Sequence, residues 1–324
     1  MISMAMLHDA QRVLKPVINR TPVIQTKGIV PGCDFYLKAD CLQKTGAFKL
    51  RGAYYKIATL SDEEKQRGVI ACSAGNHAQG VAMAATRNGI KSLICMPDGA
   101  PISKVEATKQ LGAEVRLVKG AYDDAYATAL QIQEETGATF IHPFDDPEVI
   151  AGQGTIGLEI LDELEDPDAV VVPIGGGGLI SGVAYAIKHL NPKVKVYGVQ
   201  AAGAASMVES QKAGEPIMLD RADTFADGIA VKHPGDLTYE LVKEYVDEIV
   251  TAILALLEKQ KVIAEGAGAV GVAAVLFHKL PVQGKKVVCI VSGGNIDVNI
   301  LSRVITRGLV TSGRNVSLTL SLAD

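Results

Sequence analysis

Hydrophobic residues in the first half of the chain come in short, β-branched runs bounded by Gly, Pro or Asn. Between them lie segments of helical spacing. Strands are expected at Gly68–Cys72, Lys91–Met96, Ala113–Lys119 and Ala138–Ile141. Helices are expected between them at Ala78–Asn88, Ser103–Leu111 and Asp123–Glu135. A short amphipathic helix, Met6–Val17, precedes this block and is expected to end near Pro16. After a loop around His142–Pro147 the alternation resumes. Ala169–Ile174 (AVVVPI) is apolar throughout, as suits a central parallel strand buried on both faces. A helix Leu179–Leu190 and strands Val194–Gln200 and Lys286–Val291 follow. Strands alternating with helices of about ten residues predict an α/β fold of mostly parallel sheet flanked by helices. Two such blocks predict two lobes, with a ligand cleft between them.

Composition narrows the classes. The chain has 324 residues, 48% hydrophobic and 21% charged, which suits a large buried core. The net charge is -4 and no Lys/Arg cluster marks a nucleic-acid surface. The five cysteines (Cys33, Cys41, Cys72, Cys95 and Cys289) are scattered without a CxxC pair and read as reduced thiols. The N-terminal residues lack a secretory pattern, and the apolar stretch Ile249–Leu257 is too short to span a bilayer. A cytoplasmic protein is the expectation.

Four segments could carry chemistry. Gly175–Gly178 lies between a strand and a helix, where glycine lets backbone N–H groups approach an anion. The pattern is neither GxGxxG nor GxxxxGK[ST], so a phosphate monoester fits better than a dinucleotide or ATP. A tight turn is the alternative. Ser73-Ala74-Gly75-Asn76-His77 sits at a second strand-to-helix junction and could hold a carboxylate or a ring oxygen, or could simply cap the helix. Ser292-Gly293-Gly294-Asn295 ends a third strand. Thr45-Gly46-Ala47-Phe48-Lys49-Leu50-Arg51-Gly52 places a lysine between apolar neighbours. A desolvated amine there would be a nucleophile toward an aldehyde, while a lone lysine is more often a solvated surface group.

Taken in order, TGAFKLRG, SAGNHAQG, GGGGLISG and SGGN resemble the fold-type II pyridoxal 5'-phosphate (PLP) enzymes of the threonine/serine dehydratase family. The resemblance runs from about Arg20 to Arg307 and implies a tryptophan-synthase-β-like fold. It implies that Lys49 is the catalytic residue and carries PLP as a Schiff base. Phe48 would pack on the ring, Asn76 bond the ring hydroxyl, Gly175, Gly176, Gly177 and Gly178 hold the phosphate, and Ser292 face the pyridine nitrogen. Ser73, Asn76, His77 and Gln79 would receive the substrate carboxylate, with no acid–base work assigned to His77. A large PLP-binding domain would comprise 1–52 and 148–312, and a small mobile domain 53–147. Residues 313–324, with the alternating Asn315–Leu322, would be the remnant of a linker or first strand of a lost regulatory domain. A homodimer or homotetramer is implied.

The activity this implies is α,β-elimination from L-threonine to 2-oxobutanoate and ammonia, and from L-serine to pyruvate. Lys49, or the cofactor phosphate, would protonate the leaving hydroxyl. A neutral Ser292 at the ring nitrogen would favour rapid loss of a β-group. A serine racemase or serine-selective dehydratase is the alternative, but such racemases carry Ser where this chain has Ala74. Relatives that bind a divalent metal place carboxylates where this chain has Gln200 and Ser206, so no metal is expected. About ten residues of the family pattern are missing after Asp247–Val250. Ala226-Asp227-Gly228 and Glu265–Ala269 are read mostly as packing, and Asp145 and Asp146 as loop or capping residues. A non-catalytic binding protein and a nicotinamide dehydrogenase are the other readings. Lys49 speaks against the first and the missing GxGxxG against the second.

Overall fold

A computed structural model describes residues 1–26, 28–252, 263–311 and 313–315. The strands among them are β1 (Val23–Gln25), β2 (Asp34–Lys38), β3 (Val69–Cys72), β4 (Ser92–Pro97), β5 (Glu114–Val118), β6 (Thr139–Phe140), β7 (Ala169–Pro173), β8 (Lys195–Ala201), β9 (Glu248–Ala252) and β10 (Lys286–Ile290). They form a six-stranded sheet, β1-β2-β10-β7-β8-β9, and a four-stranded sheet, β5-β4-β3-β6. Every pairing is parallel except β1 with β2. The apolar run at Ala169 is central, and all five residues of β7 are buried.

Two of the helices that pattern alone leaves unassigned have their apolar spacing filled with glycine. Pro147–Glu163 contains Gly152, Gly154 and Gly157 yet forms a continuous helix. Asp146 caps it through the N–H groups of Glu148 and Val149, and Pro147 occupies its first turn. The glycines permit close packing: a β-carbon at Gly152 would lie 2.6 Å from Cα of Gly52, and one at Gly154 would lie 2.9 Å from the Gly182 carbonyl. Burial thus outweighs the poor helix propensity of glycine. Gly266–Leu276 is a second such helix, and ten of its eleven residues are buried.

The first helix is Met4–Leu14 rather than Met6–Val17. Ser3 caps it by accepting from the Met6 N–H, and at the far end Pro16 has no N–H for the Arg12 carbonyl. Helix Lys49–Ala58 runs unbroken through residue 52, so no change of secondary structure marks the expected domain boundary there. The expected gap after Val250 runs into 253–262 and the alternating terminal segment into 316–324, both outside the described residues.

Candidate active site

Strand C-termini gather on one edge of each sheet, and the two edges face one another. The turns after β3, β7 and β10 and the start of helix Lys49–Ala58 meet at a cavity of about 1120 Å³. Phe48, Lys49, Ser73, Asn76, His77, Gly175, Gly176, Gly177, Gly178 and Ser292 line it. The volume is enough for a cofactor with a small substrate beside it.

Lys49 is the first residue of its helix and reaches the cavity half-buried. Its Nζ donates to the Pro143 carbonyl at 2.5 Å and lies 5.3 Å from the centre of the Phe48 ring. Burial lowers its pKa to about 8, partly offset by the Glu265 carboxylate. A neutral amine is therefore accessible near neutral pH, as attack on an aldehyde requires.

Helix Gly178–Leu190 begins at the glycine loop, with Gly177 at φ +101° as its N-cap. The loop has no room for side chains. A β-carbon at Gly176 would lie 2.4 Å from the Phe144 ring, and one at Gly178 would lie 2.8 Å from the Phe144 carbonyl. What remains is backbone: free N–H groups at a helix start, facing the cavity. This cradle and the reactive amine fit a phosphate-bearing aldehyde.

A model for pyridoxal-phosphate dependent enzymes matches residues 14–293. The chain belongs to that family, in its fold-type II threonine dehydratase branch. It is 57% identical over 334 aligned positions to an L-threonine ammonia-lyase of Thermotoga maritima, covering 100% of this chain and 83% of the relative. Among solved structures it is similar to the processed form of threonine deaminase isoform 2 from Solanum lycopersicum, with TM-score 0.87, 39% identity, and 93% and 87% of the two chains covered. It is equally similar to maize serine racemase, with TM-score 0.88, 37% identity, and 96% and 99% covered. The cofactor is pyridoxal phosphate.

For a pyridoxal-phosphate enzyme the polar wall after β3 is informative. The His77 ring is buried, and its Nε2 lies 2.8 Å from the Ile141 carbonyl. A carbonyl only accepts, so the one proton of the neutral ring sits on Nε2 and is already engaged. Burial, with the charge on Lys49 adding to it, lowers the His77 pKa to about 3 and keeps the ring neutral. His77 can therefore offer a carboxylate its backbone N–H but not its ring. Gln79, expected beside it, is two residues further along helix Asn76–Arg87, on the opposite side of that helix, and is not among the residues that line the cavity.

Glu265, in a segment that sequence reasoning read mostly as packing, faces the site. It lines the cavity, is 4% exposed, and accepts from Asn76 Nδ2 at 2.6 Å. Burial foremost, then the Asp227 carboxylate, raises its pKa to about 7, against the Asn76 hydrogen bond. The available signal was a single acid in an otherwise small and apolar segment, AEGAGAVG. Arg51, two residues after the lysine, is wholly buried and bonds Asp40 and Glu159. It anchors the helix that carries Lys49.

Of the two residues weighed above for a metal, Gln200 accepts through Oε1 from the Val208 N–H at 3.0 Å. Gln200 Nε2 and Ser206 Oγ are buried without a protein partner. An amide N–H₂ turned inward is a poor neighbour for a hard cation.

Proposed function

We propose that this enzyme eliminates water and ammonia from L-threonine, giving 2-oxobutanoate, and converts L-serine to pyruvate and ammonia in the same way. Ala74 carries the choice of elimination over racemisation. It lines the cavity beside Ser73 and Asn76, and its methyl group has no proton to give to a substrate carbon. The 57% identity to an L-threonine ammonia-lyase supports the same reading.

The chain's own groups divide the work. Gly175–Gly178 would hold the phosphate through backbone N–H groups, with Phe48 against the ring. Asn76 would donate to the ring oxygen, and the neutral Ser292 would serve the ring nitrogen. The first N–H groups of helix Asn76–Arg87, with Ser73, receive the substrate carboxylate. The bound cofactor supplies an electron-withdrawing ring that accepts charge from Cα. Lys49 would hold the cofactor, and its free amine would take the Cα proton and pass a proton to the departing β-hydroxyl oxygen.

The competing reading is a serine racemase, which the likeness to the maize structure supports. Incubation with L-threonine and with L-serine, followed by assay of 2-oxo acid and chiral chromatography of the remaining amino acid, tests both. Oxo acid with little D-serine is expected. D-serine as the main product would overturn elimination, and no turnover of either substrate would overturn both.

A further inference from the structure

Segments 45–48 and 292–294 are laced together by backbone. The Phe48 N–H donates to the Ser292 carbonyl at 3.0 Å, and the Gly294 N–H to the Gly46 carbonyl at 2.8 Å. The next residue, Asn295, is thereby carried beneath Asn76 from the opposite lobe. Its Nδ2 donates to the Thr45 carbonyl at 2.7 Å and to Asn76 Oδ1 at 2.8 Å. A β-carbon at Gly46 would lie 2.3 Å from Asn295 Oδ1, so the side chain also depends on that glycine.

The amide orientations follow from chemistry. The Thr45 carbonyl can only accept, so the atom of Asn295 facing it is the nitrogen. That nitrogen's second hydrogen meets Asn76, so the Asn76 atom there is oxygen. Asn76 therefore turns its N–H₂ the other way. One hydrogen goes to Glu265 Oε1 at 2.6 Å, and one remains for a ligand in the cavity.

We propose that Asn295 is a positioning residue for the cofactor. Through Asn76 it fixes which end of the amide faces the cofactor's ring oxygen, so that a donor and not an acceptor meets it. The proposal rests on the placement of Asn76 against that oxygen given above. Without Asn295, Glu265 alone holds the Asn76 amide in that orientation, and a turned amide becomes more accessible. A carbonyl facing an anionic oxygen both loses a hydrogen bond and adds repulsion.

The test is a double-mutant cycle read by equilibrium dialysis of pyridoxal phosphate against cofactor-free protein. Asn295→Ala should weaken binding about tenfold in the wild-type background and leave it essentially unchanged in the Asn76→Ala background. Asn295→Asp keeps the shape but presents only acceptors, and should match or exceed that loss. It carries the test if the alanine variant does not fold. Equal loss from Asn295→Ala in both backgrounds would mean a merely structural role and overturn the proposal. So would unchanged affinity in the wild-type background while Asn76→Ala still weakens binding. If Asn76→Ala itself has no effect, the placement of Asn76 fails and the relay with it.

Discussion

The Lys104 ammonium lies 2.6 Å from the Asp227 carboxylate and joins the two lobes across the mouth of the cleft. Lys232 and Asp123 make a second such pair at 3.5 Å. Both are too exposed to matter much to stability. Their importance is electrostatic, because Asp227 raises and Lys104 lowers the pKa of Glu265. In the folded, cofactor-free protein Glu265 titrates at about 7 against 4.5 ordinarily, with burial the main cause. A raised carboxyl pKa favours folding fully below about pH 4.5, and that contribution is lost as the pH rises through about 7. The loss is roughly 3 kcal/mol. Melting temperature followed from pH 4.5 to 7.5 should fall less steeply in Glu265→Gln. The step should move down in Asp227→Asn and up in Lys104→Ala.

Lys49 has the opposite sign. Its folded pKa is lowered, so the neutral amine is populated from about pH 8 upward. The rate at which cofactor-free protein captures pyridoxal phosphate covalently should rise with pH and level off above about 8, as followed by visible absorbance. A rate independent of pH from 6 to 9 would contradict this. Lys49→Ala should abolish turnover while the protein still folds.

Gly178→Ala tests the cradle. Its β-carbon would meet the Phe144 backbone at 2.8 Å, which cannot move without displacing the segment that joins the lobes. About 1–3 kcal/mol of stability should be lost, together with most of the affinity for cofactor, by thermal melting and dialysis. Gly214→Ala is the contrast: its φ of +85° strains alanine, but nothing lies within 4 Å. It should cost stability alone.

Arg51→Met should destabilise the fold by about 3–5 kcal/mol, because Asp40 would be left buried without a cation and Glu159 with Lys38 alone. Urea unfolding measures it. The same variant should reduce turnover in whatever fraction remains folded, since the helix of Lys49 loses its anchor.

Two substitutions bear on reaction choice. Ala74→Ser supplies the missing hydroxyl and should raise the ratio of D-serine to pyruvate formed from L-serine. Ser292→Asp would hold a proton on the ring nitrogen and should slow elimination. An unchanged product ratio in the first would remove Ala74 from the argument.

Much of the fold was legible because parallel strands buried on both faces read as unbroken apolar runs. β7 is the clearest, and the β3–β6 sheet follows the alternation within a residue or two at each end. Among the helices that pattern did not deliver are Pro147–Glu163 and Gly266–Leu276, where a missing side chain is the contact itself. The four motifs marked the site, since each follows a strand end or opens a helix. Asn295 was named as part of a motif, but its link to Asn76 spans 219 positions and needs the fold. Glu265 was hidden because a carboxyl among small apolar residues reads as packing until its partner is seen. His77 and Gln79 belong to the same motif, yet the ring of one is turned to a carbonyl and the other misses the cavity wall.

The segment His142–Asp146, where the chain crosses from one lobe to the other, touches the site at each step. The His142 Nδ1 accepts from the Phe144 and Asp145 N–H groups, and the Pro143 carbonyl holds the Lys49 amine. Phe144 closes over the glycine loop, and Asp145 caps helix Asp236–Tyr245 through the Asp236 and Thr238 N–H groups. A molecule that takes the amine from Pro143 and settles under Phe144 must load this joint as well as fill the pocket. Filling the site would therefore exchange a bond to the backbone of the crossing segment for one to the incoming molecule.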